Sequence, residues 1–253
     1  MHILVTNDDG IMAPGIAALA HALRPLGDVE VVAPESTQSG AAHAITFMAP
    51  LICERISMAG EFFGWSVDGS PADCVKLGVQ ELCTKRPDLV VSGINAGSNR
   101  GVDVIYSGTV AGAVEAAFIG IPSLAISLEA SGGFDFDRAG VHARDVVARA
   151  LEVGIDRGTV LNVNIPRLDR GSPRGVKVVR QSTASWTDGY DRREDPRGRP
   201  YFWLTDGGER GDEPAVETDL SELRAGYVTI TPLQHDLTEY RQLDRLDRVW
   251  NPD

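Results

Sequence analysis

The chain has 253 residues and a mass of 27.2 kDa, which suits one large domain or a domain with an appendage. Its shares of 43% apolar and 24% charged residues are typical of a globular protein with a substantial core. The formal net charge of −12 argues against sequence-independent binding to a nucleic-acid polymer, which depends on clustered Lys and Arg.

The cysteines and the hydropathy pattern indicate the setting of the protein. Cys53, Cys74 and Cys83 are odd in number and form no C-x-x-C pair, so they predict neither a disulfide framework nor a zinc site. No apolar run approaches membrane-spanning length, and the sequence begins on a predicted strand without the basic segment of a secretory signal. We therefore expect a cytoplasmic protein with no membrane partner.

Strands and helices are predicted to alternate through the first 165 residues. Short apolar runs without polar alternation are typical of buried parallel strands. They occur at residues 3–6, 29–33, 89–92, 123–128 and 160–165. Apolar residues at helical spacing lie between them, at residues 16–23, 75–82, 110–118 and 143–151, and a hairpin is expected at residues 51–55 and 62–67. The alternation predicts an α/β fold with a doubly wound, mostly parallel sheet.

The pattern changes beyond residue 176. Residues 185–199 carry many charges with scattered Gly and Pro, and aromatic residues cluster around them: Trp186, Tyr190, Tyr201, Phe202 and Trp203. Two interpretations compete, a disordered linker and an arm that packs on another subunit. The aromatic residues favour the arm, because disordered segments are poor in them.

The end of the chain is predicted to return to regular structure. A late strand is expected at residues 227–231, ended by Pro232, and helical spacing with many charges covers residues 237–249. We therefore treat residues 1–253 as a single α/β domain. Within it, residues 1–175 form the core that carries the site, and residues 176–253 form a β-rich C-terminal oligomerisation arm and tail.

Polar side chains with oxygen donors follow three of the predicted strands. Asp8 and Asp9 come after the first strand, Ser39 lies in the loop after the second, and Asn95 follows the strand at residues 89–92. In a doubly wound sheet the ligand lies at the carboxyl ends of the strands, so we expect these three loops to converge. Carboxylate, hydroxyl and amide oxygens suit Mg²⁺, Mn²⁺ or Ca²⁺ rather than zinc.

Each of these assignments has a plainer alternative. The segment Asn7-Asp8-Asp9-Gly10 also suits a solvated turn, since all of its residue types favour turns. His43 is interpreted as a loop or packing residue. Ser107-Gly108-Thr109 precedes a predicted helix, where free N–H groups and the helix dipole favour an anion, although Ser and Thr also serve there as simple N-caps. A metal beside an anion pocket is typical of a phosphate site.

With these features in place, the chain resembles the SurE survival-protein nucleotidases. The likeness begins in Val5-Thr6-Asn7-Asp8-Asp9-Gly10 with Ala13-Pro14-Gly15, and it covers nearly the whole chain in the same order. It continues through Ser39-Gly40, Ser70-Pro71-Ala72-Asp73-Cys74-Val75, Ser92-Gly93-Ile94-Asn95-Ala96-Gly97-Ser98-Asn99, Tyr106-Ser107-Gly108-Thr109-Val110, Asp195-Pro196-Arg197-Gly198-Arg199-Pro200-Tyr201 and Gly226-Tyr227-Val228-Thr229-Ile230-Thr231-Pro232-Leu233.

The resemblance implies a Rossmann-like core and a metal-dependent phosphomonoesterase that acts on nucleoside 5′- and 3′-monophosphates, with short polyphosphate left open as a further substrate. It implies one divalent metal ion, Mg²⁺ or Mn²⁺ with Ca²⁺ as a further choice. It also implies a homodimer or homotetramer whose subunits exchange C-terminal segments, in agreement with the aromatic arm.

The same resemblance implies roles for individual residues. The metal ligands are expected at Asp8, Asp9, Ser39 and Asn95, and either carboxylate is expected to serve as the catalytic group that orients water. Residues 107–109 match the phosphate loop of the family. The complete set of expected phosphate-binding residues is Asn7, Gly40, Asn99, Ser107, Gly108 and Thr109.

Two other protein classes use acidic residues after a first strand. A haloacid-dehalogenase-type phosphatase needs Asp-x-Asp, whereas Asp8 and Asp9 are adjacent. A response-regulator receiver, which signals rather than catalyses turnover, needs a phosphoacceptor Asp after its third strand and a Lys after a later one. This chain offers Asn95 at the first position, and the strand at residues 123–128 leads to Glu129 with no Lys. The residues that each of these two classes needs for its reaction are therefore missing from this sequence.

Overall fold

The computed structural model describes residues 1–130, 133–210 and 216–251. Eleven strands occur in this part of the chain. They are β1 (His2–Thr6), β2 (Asp28–Pro34), β3 (Cys53–Met58), β4 (Glu61–Val67), β5 (Leu89–Ala96), β6 (Ser123–Leu128), β7 (Thr159–Ile165), β8 (Val176–Val178), β9 (Ser185–Glu194), β10 (Pro200–Arg210) and β11 (Val228–Gln234).

Seven α-helices accompany the strands within the described residues. They are α1 (Pro14–Leu23), α2 (Pro71–Leu77), α3 (Asp103–Tyr106), α4 (Gly108–Phe118), α5 (Phe136–Val153), α6 (Asp219–Arg224) and α7 (Tyr240–Trp250). Short 3₁₀ segments cover Arg24–Leu26 and Leu168–Arg170, and a π-helical turn, Gly78–Leu82, extends α2. Across the described ranges, none of the helices combines the length and apolar character that a membrane span needs.

Nine strands form one sheet in the order β3-β4-β2-β1-β5-β6-β7-β11-β8. Its centre is parallel, because β1 pairs in parallel with β2 and β5, and β6 pairs in parallel with β5 and β7. The chain moves outward from β1 to β2 on one side and later places β5 on the other side. The expected doubly wound α/β fold is confirmed, and its topological switch point lies between β1 and β5.

Helices cover both faces of this sheet. On one face α1 and α5 pack together, and residues such as Ile16 and Val147 join a core cluster with Ile3 and Val91. On the other face α2 and α4 pack together, and Val75 joins a second cluster with Leu4, Val32 and Val90. Each central strand is therefore buried on both sides, which explains its continuous apolar sequence.

The predicted strand after residue 227 is longer than expected. We expected Pro232 to end it, but β11 continues to Gln234 and pairs with β7 from Thr229 to Gln234. On its other side β11 meets β8 only at Val228–Ile230. Pro232 therefore lies beyond that second pairing, at an edge where a missing N–H is tolerated. Since β8 and β11 belong to the main sheet, the predicted division at residue 175 does not coincide with a sheet boundary.

The segment that was expected to form an arm contains an antiparallel hairpin of β9 and β10, which forms a separate two-stranded sheet. Tyr190, Phe202, Trp203 and Leu204 on this hairpin are exposed. The last helix, α7, has no buried residue. The hairpin and α7 thus expose apolar side chains that the subunit itself does not cover.

Candidate active site

The turn after β1 is held in shape by its own first residue. The Asn7 amide nitrogen donates to the Gly10 carbonyl over 2.9 Å, and the Gly10 N–H donates to the Asn7 amide oxygen over 3.2 Å. Asn7 is fully buried, and Gly10 takes a φ of +100°, which only glycine adopts without strain. The turn is therefore an ordered support for Asp8 and Asp9, and the Asn7 side chain takes part in holding it.

Asp8 lies against the first turn of α4 and is only 4% exposed. Its carboxylate accepts hydrogen bonds from the Thr109 hydroxyl and from the Thr109 backbone N–H. A side chain at Gly108 would place its Cβ 2.8 Å from the Cβ of Asp8, so glycine is needed for this close approach. Burial, and then the negative charge of Asp9, raise the pKa of the Asp8 carboxyl despite the hydrogen bonds from Thr109.

Asp9 joins the turn to the end of β5. Its carboxylate accepts from the Ala96 N–H over 3.0 Å. The neighbouring Asn95 is half-buried, and its amide nitrogen donates to the Gly97 carbonyl over 2.7 Å. Since the nitrogen of this amide is used within the loop, its oxygen is the atom that Asn95 presents as a ligand.

The loop after β2 lies over the same turn. The Gln38 N–H donates to the Asp8 carbonyl over 2.7 Å, and the Thr37 hydroxyl donates to the Asp9 carbonyl over 3.2 Å. Ser39 and Gly40 follow directly and are exposed. Hydrogen bonds therefore join the three loops that carry the expected oxygen donors, as the sequence predicted for the switch point.

The start of α4 uses its side chains internally. The Ser107 hydroxyl accepts from the Val110 N–H over 3.1 Å and is thus the N-cap, while the Thr109 side chain contacts Asp8. In this structure the Ser107 hydroxyl therefore acts as a simple N-cap, which was one of the two roles expected for it. The groups of this segment that remain suited to an anion are backbone N–H groups of the first helical turn.

Asn99 serves a buried polar cluster. Its amide nitrogen donates to the Ser127 hydroxyl, and its backbone N–H donates to the Asn164 side chain, each over 2.8 Å. Its carbonyl accepts from the side-chain amides of Asn162 and Asn164. The structure thus uses Asn99 to fix the glycine-rich loop on β6 and β7, and its partner Ser127 pairs with Asn95 across the sheet.

Sequence reasoning missed a charged cluster on α4. Glu115 is 2% exposed, and its carboxylate contacts the His43 ring at 2.9 Å and the Lys76 ammonium at 2.7 Å. His43 also stacks on Phe118 at 5.2 Å. The sequence feature that could have revealed this cluster is the single acidic residue inside the apolar run of α4. A charge buried at such a position needs a partner. This cluster attaches the loop that carries Ser39 to the helix that touches Asp8.

A second group of potential ligands lies at the opposite edge of the sheet. One atom each of His2, Glu30 and Cys83 lie within 4.8 Å of one another. The His2 ring contacts the Glu30 carboxylate at 2.9 Å, and the Thr84 N–H donates to the same carboxylate over 3.0 Å. Hydrogen bonds to the Glu30 carboxylate hold these side chains together, so their closeness is explained without a bound metal.

Comparison with known proteins decides the family. Residues 3–188 match the family model described as Survival protein SurE. The chain belongs to the SurE family. It is 47% identical to 5′-nucleotidase SurE of Syntrophobacter fumaroxidans over 252 residues, which cover 99% of this chain and 100% of the relative. It is also 47% identical to 5′-nucleotidase SurE of Rhodopirellula baltica over 253 residues, with 99% of each chain covered.

A solved SurE structure agrees with the fold described above. The crystal structure of SurE protein from Aquifex aeolicus matches with a TM-score of 0.86 and 40% sequence identity, covering 99% of this chain and all of that one. The resemblance found in the sequence motifs is thereby confirmed. Membership in the SurE family supports a phosphatase activity of the nucleotidase type.

Proposed function

We propose that this chain is a divalent-metal-dependent phosphomonoesterase that hydrolyses nucleoside 5′- and 3′-monophosphates to nucleoside and phosphate. The observation that carries the proposal is the buried Asp8 carboxylate beside Asp9 at the switch point of a SurE-family sheet. Short polyphosphate is a further substrate class that the same chemistry would accept. The proposed setting is the cytoplasm.

The proposed metal ligands are Asp8, Asp9, Ser39 and Asn95, and their chemistry suits one hard divalent cation. All four offer oxygen, the donor that Mg²⁺, Mn²⁺ and Ca²⁺ prefer. Burial and the charge of Asp9 raise the pKa of the Asp8 carboxyl, so the hydrogen bonds from Thr109 compensate the ionised carboxylate only in part. A cation between the carboxylates would supply the remainder.

Different residues of the site are proposed to have different catalytic roles. When bound, the cation would supply Lewis-acid polarisation of a phosphoryl oxygen and of the attacking water. Asp8 or Asp9 orients that water or takes its proton, and Thr109 holds the Asp8 carboxylate in place. Backbone N–H groups at residues 107 and 108, together with Gly40, would bind the non-bridging oxygens. Loss of one such donor typically costs about 3–4 kcal/mol of transition-state stabilisation.

Metal removal tests this function directly. Protein treated with a chelator should release no phosphate from nucleoside 5′- or 3′-monophosphates, and added Mn²⁺ or Mg²⁺ should restore release. Asp8→Asn removes a ligand charge and should lower kcat/KM by at least about a hundredfold. Loss of an outer partner of a metal ligand already costs about 10- to 100-fold, and loss of a charged ligand should cost no less. The matched control is Asp145→Asn, an exposed aspartate on α5, which should leave activity unchanged. Full activity of Asp8→Asn would refute the assignment.

Stereochemistry at phosphorus tests the direct attack by water. The converging loops offer carboxylates, a hydroxyl and an amide, and the imidazole of His43 is engaged by Glu115. We therefore expect net inversion when a chiral phosphate monoester is hydrolysed in labelled water. Retention would require two displacements and a covalent intermediate, and Asp8 would then be the first nucleophile to examine.

A further inference from the structure

A basic cavity lies on the same edge of the sheet as the acidic site. Its volume is about 500 Å³, and it is lined by the segments that follow β6 and β7 and that precede β8 and β11. Strands β6 and β7 are one and two places from β5, which carries Asn95, and this corresponds to roughly 5–10 Å at the usual strand spacing. None of the four residues proposed to hold the metal lines the cavity.

The charge of this cavity contrasts with that of the whole protein. Arg167, Arg170, Arg174 and Arg224 line it together with Glu129, and with Asp169, which pairs with Arg167, these groups carry a formal charge of +2 in a chain of net charge −12. Three of the four arginines lie in the connection between β7 and β8, and Arg224 ends α6. Such a concentration of one sign within a concave surface raises the local concentration of anions.

Two of the arginines are held in defined orientations. The Arg167 guanidinium forms a two-pronged contact with Asp169, at 2.8 and 2.5 Å. The Arg174 guanidinium stacks over the Tyr227 ring at 4.9 Å and donates to the Ala225 carbonyl over 3.2 Å. A guanidinium has five N–H donors, so these contacts orient both groups without using all of their donors. Preorganised guanidinium groups suit phosphate oxygens, which they bind in pairs.

The size of the cavity selects among anions. Its volume lies within the range of about 300–1,000 Å³ that is usual for sites of small organic ligands, and a single orthophosphate ion would leave most of it empty. We propose that this cavity binds a ligand with two or more linked phosphoryl groups, through the guanidinium groups of Arg167, Arg170, Arg174 and Arg224. A nucleoside triphosphate and inorganic polyphosphate share this chemistry.

Binding without catalysis tests the proposal. The full chain is freed of metal by chelation and dialysis, so that the two carboxylates of the acidic site repel anions, and inorganic tripolyphosphate, ATP and orthophosphate are each titrated by calorimetry. Tripolyphosphate should bind at one site per chain, and at least about tenfold more tightly than orthophosphate, since each charge-assisted hydrogen bond adds appreciable affinity. If ATP binds more tightly than tripolyphosphate, the ligand is a nucleotide; the reverse indicates polyphosphate.

Substitutions locate the site. Arg170→Ala and Arg174→Ala should each weaken tripolyphosphate binding about tenfold, and Arg170→Lys should weaken it less because the charge remains. Arg149→Ala is the matched control, since this exposed arginine lies on α5 outside the cavity. Equal binding by the Arg170 variants and wild type would overturn the proposal, as would absence of tripolyphosphate binding. Neither result depends on phosphatase activity, so failure here is distinct from failure of the proposed function.

Discussion

At the scale of single residues, the contact between Thr109 and Asp8 gives Thr109 a different role from the one its position suggested. The sequence placed it in a loop for phosphate, but both its hydroxyl and its N–H donate to the Asp8 carboxylate. These bonds favour the ionised carboxylate against the effect of burial. At the proposed metal site Thr109 would therefore act on the cation through Asp8, as the outer partners of metal ligands usually do.

Thr109→Val tests that role, because it keeps the shape of the side chain and removes the hydroxyl donor. We expect the affinity for Mn²⁺ to fall about 10- to 100-fold, the range for loss of an outer partner of a metal ligand. Thr109→Ser keeps the donor and should bind Mn²⁺ nearly as wild type does. Calorimetric titration with Mn²⁺ measures both variants. Equal affinities of the Val variant and wild type would mean that the hydroxyl merely fills space.

At the scale of elements, the loop after β2 is fastened to two helices. Beyond Ser39, the His43 ring contacts Glu115 on α4, and the Thr46 N–H donates to Asp73 on α2 over 3.0 Å. The Ser70 hydroxyl donates to the Ala44 carbonyl over 2.6 Å. If Ser39 binds the cation as we propose, a loop with these attachments would lose little conformational freedom on binding, because it is already ordered.

Glu115→Gln should expose the pH dependence of this attachment. Burial alone would raise the pKa of Glu115, but hydrogen bonds from His43 and Lys76 outweigh it and lower the pKa below the usual 4.5. A lowered folded pKa gives stability that is present above about 4.5 and is lost as the pH falls through the folded value. The variant should therefore lose about 1–3 kcal/mol of unfolding free energy at neutral pH.

Urea unfolding at several pH values measures the effect of this substitution. The difference between Glu115→Gln and wild type should shrink as the pH falls below about 4.5, where the wild-type carboxylate takes up its proton. Glu152→Gln is the control, because that glutamate pairs with Arg149 at the surface of α5 and should contribute at most about 1 kcal/mol. A difference that stays constant with pH would argue against an ionic role of Glu115.

At the scale of the whole molecule, apolar side chains on β10 and on α7 are left uncovered by the subunit. Trp203 and Leu204 on β10 are 60% and 63% exposed, and Leu243, Leu246 and Trp250 lie at helical spacing along α7. Soluble monomers seldom expose large contiguous apolar patches. The resemblance that implied exchanged C-terminal segments supplies a partner for these side chains, namely a second copy of the chain.

We therefore predict a homodimer or homotetramer, with a mass at least twice 27.2 kDa by light scattering at micromolar concentration. Removal of residues 236–253 should weaken this assembly, because α7 has no buried residue in its own subunit and would gain its apolar contacts from another. The truncated chain should keep the far-ultraviolet circular dichroism of the folded core. A stable full-length monomer would contradict the prediction.

The sequence by itself determined the order and type of the central elements. The buried strands were recognisable because continuous apolar character over a few residues is a local property, and β6 begins and ends where its sequence predicted. The acidic turn after β1 and the glycine-rich segment after β5 were likewise readable, because the carboxyl ends of parallel strands share one edge. The family resemblance depended on these same short segments.

Tertiary structure decided which polar atoms remain for a ligand. Asn7 and Asn99 look like site residues in the sequence, but their amides are used in the turn with Gly10 and in the cluster with Ser127. Glu115 lies 72 residues from His43, and Pro232 is tolerated in β11 only because β8 pairs with a different part of that strand. Hydrogen-bond partners far apart in the chain leave no local pattern, so only the folded arrangement of strands and helices could assign them.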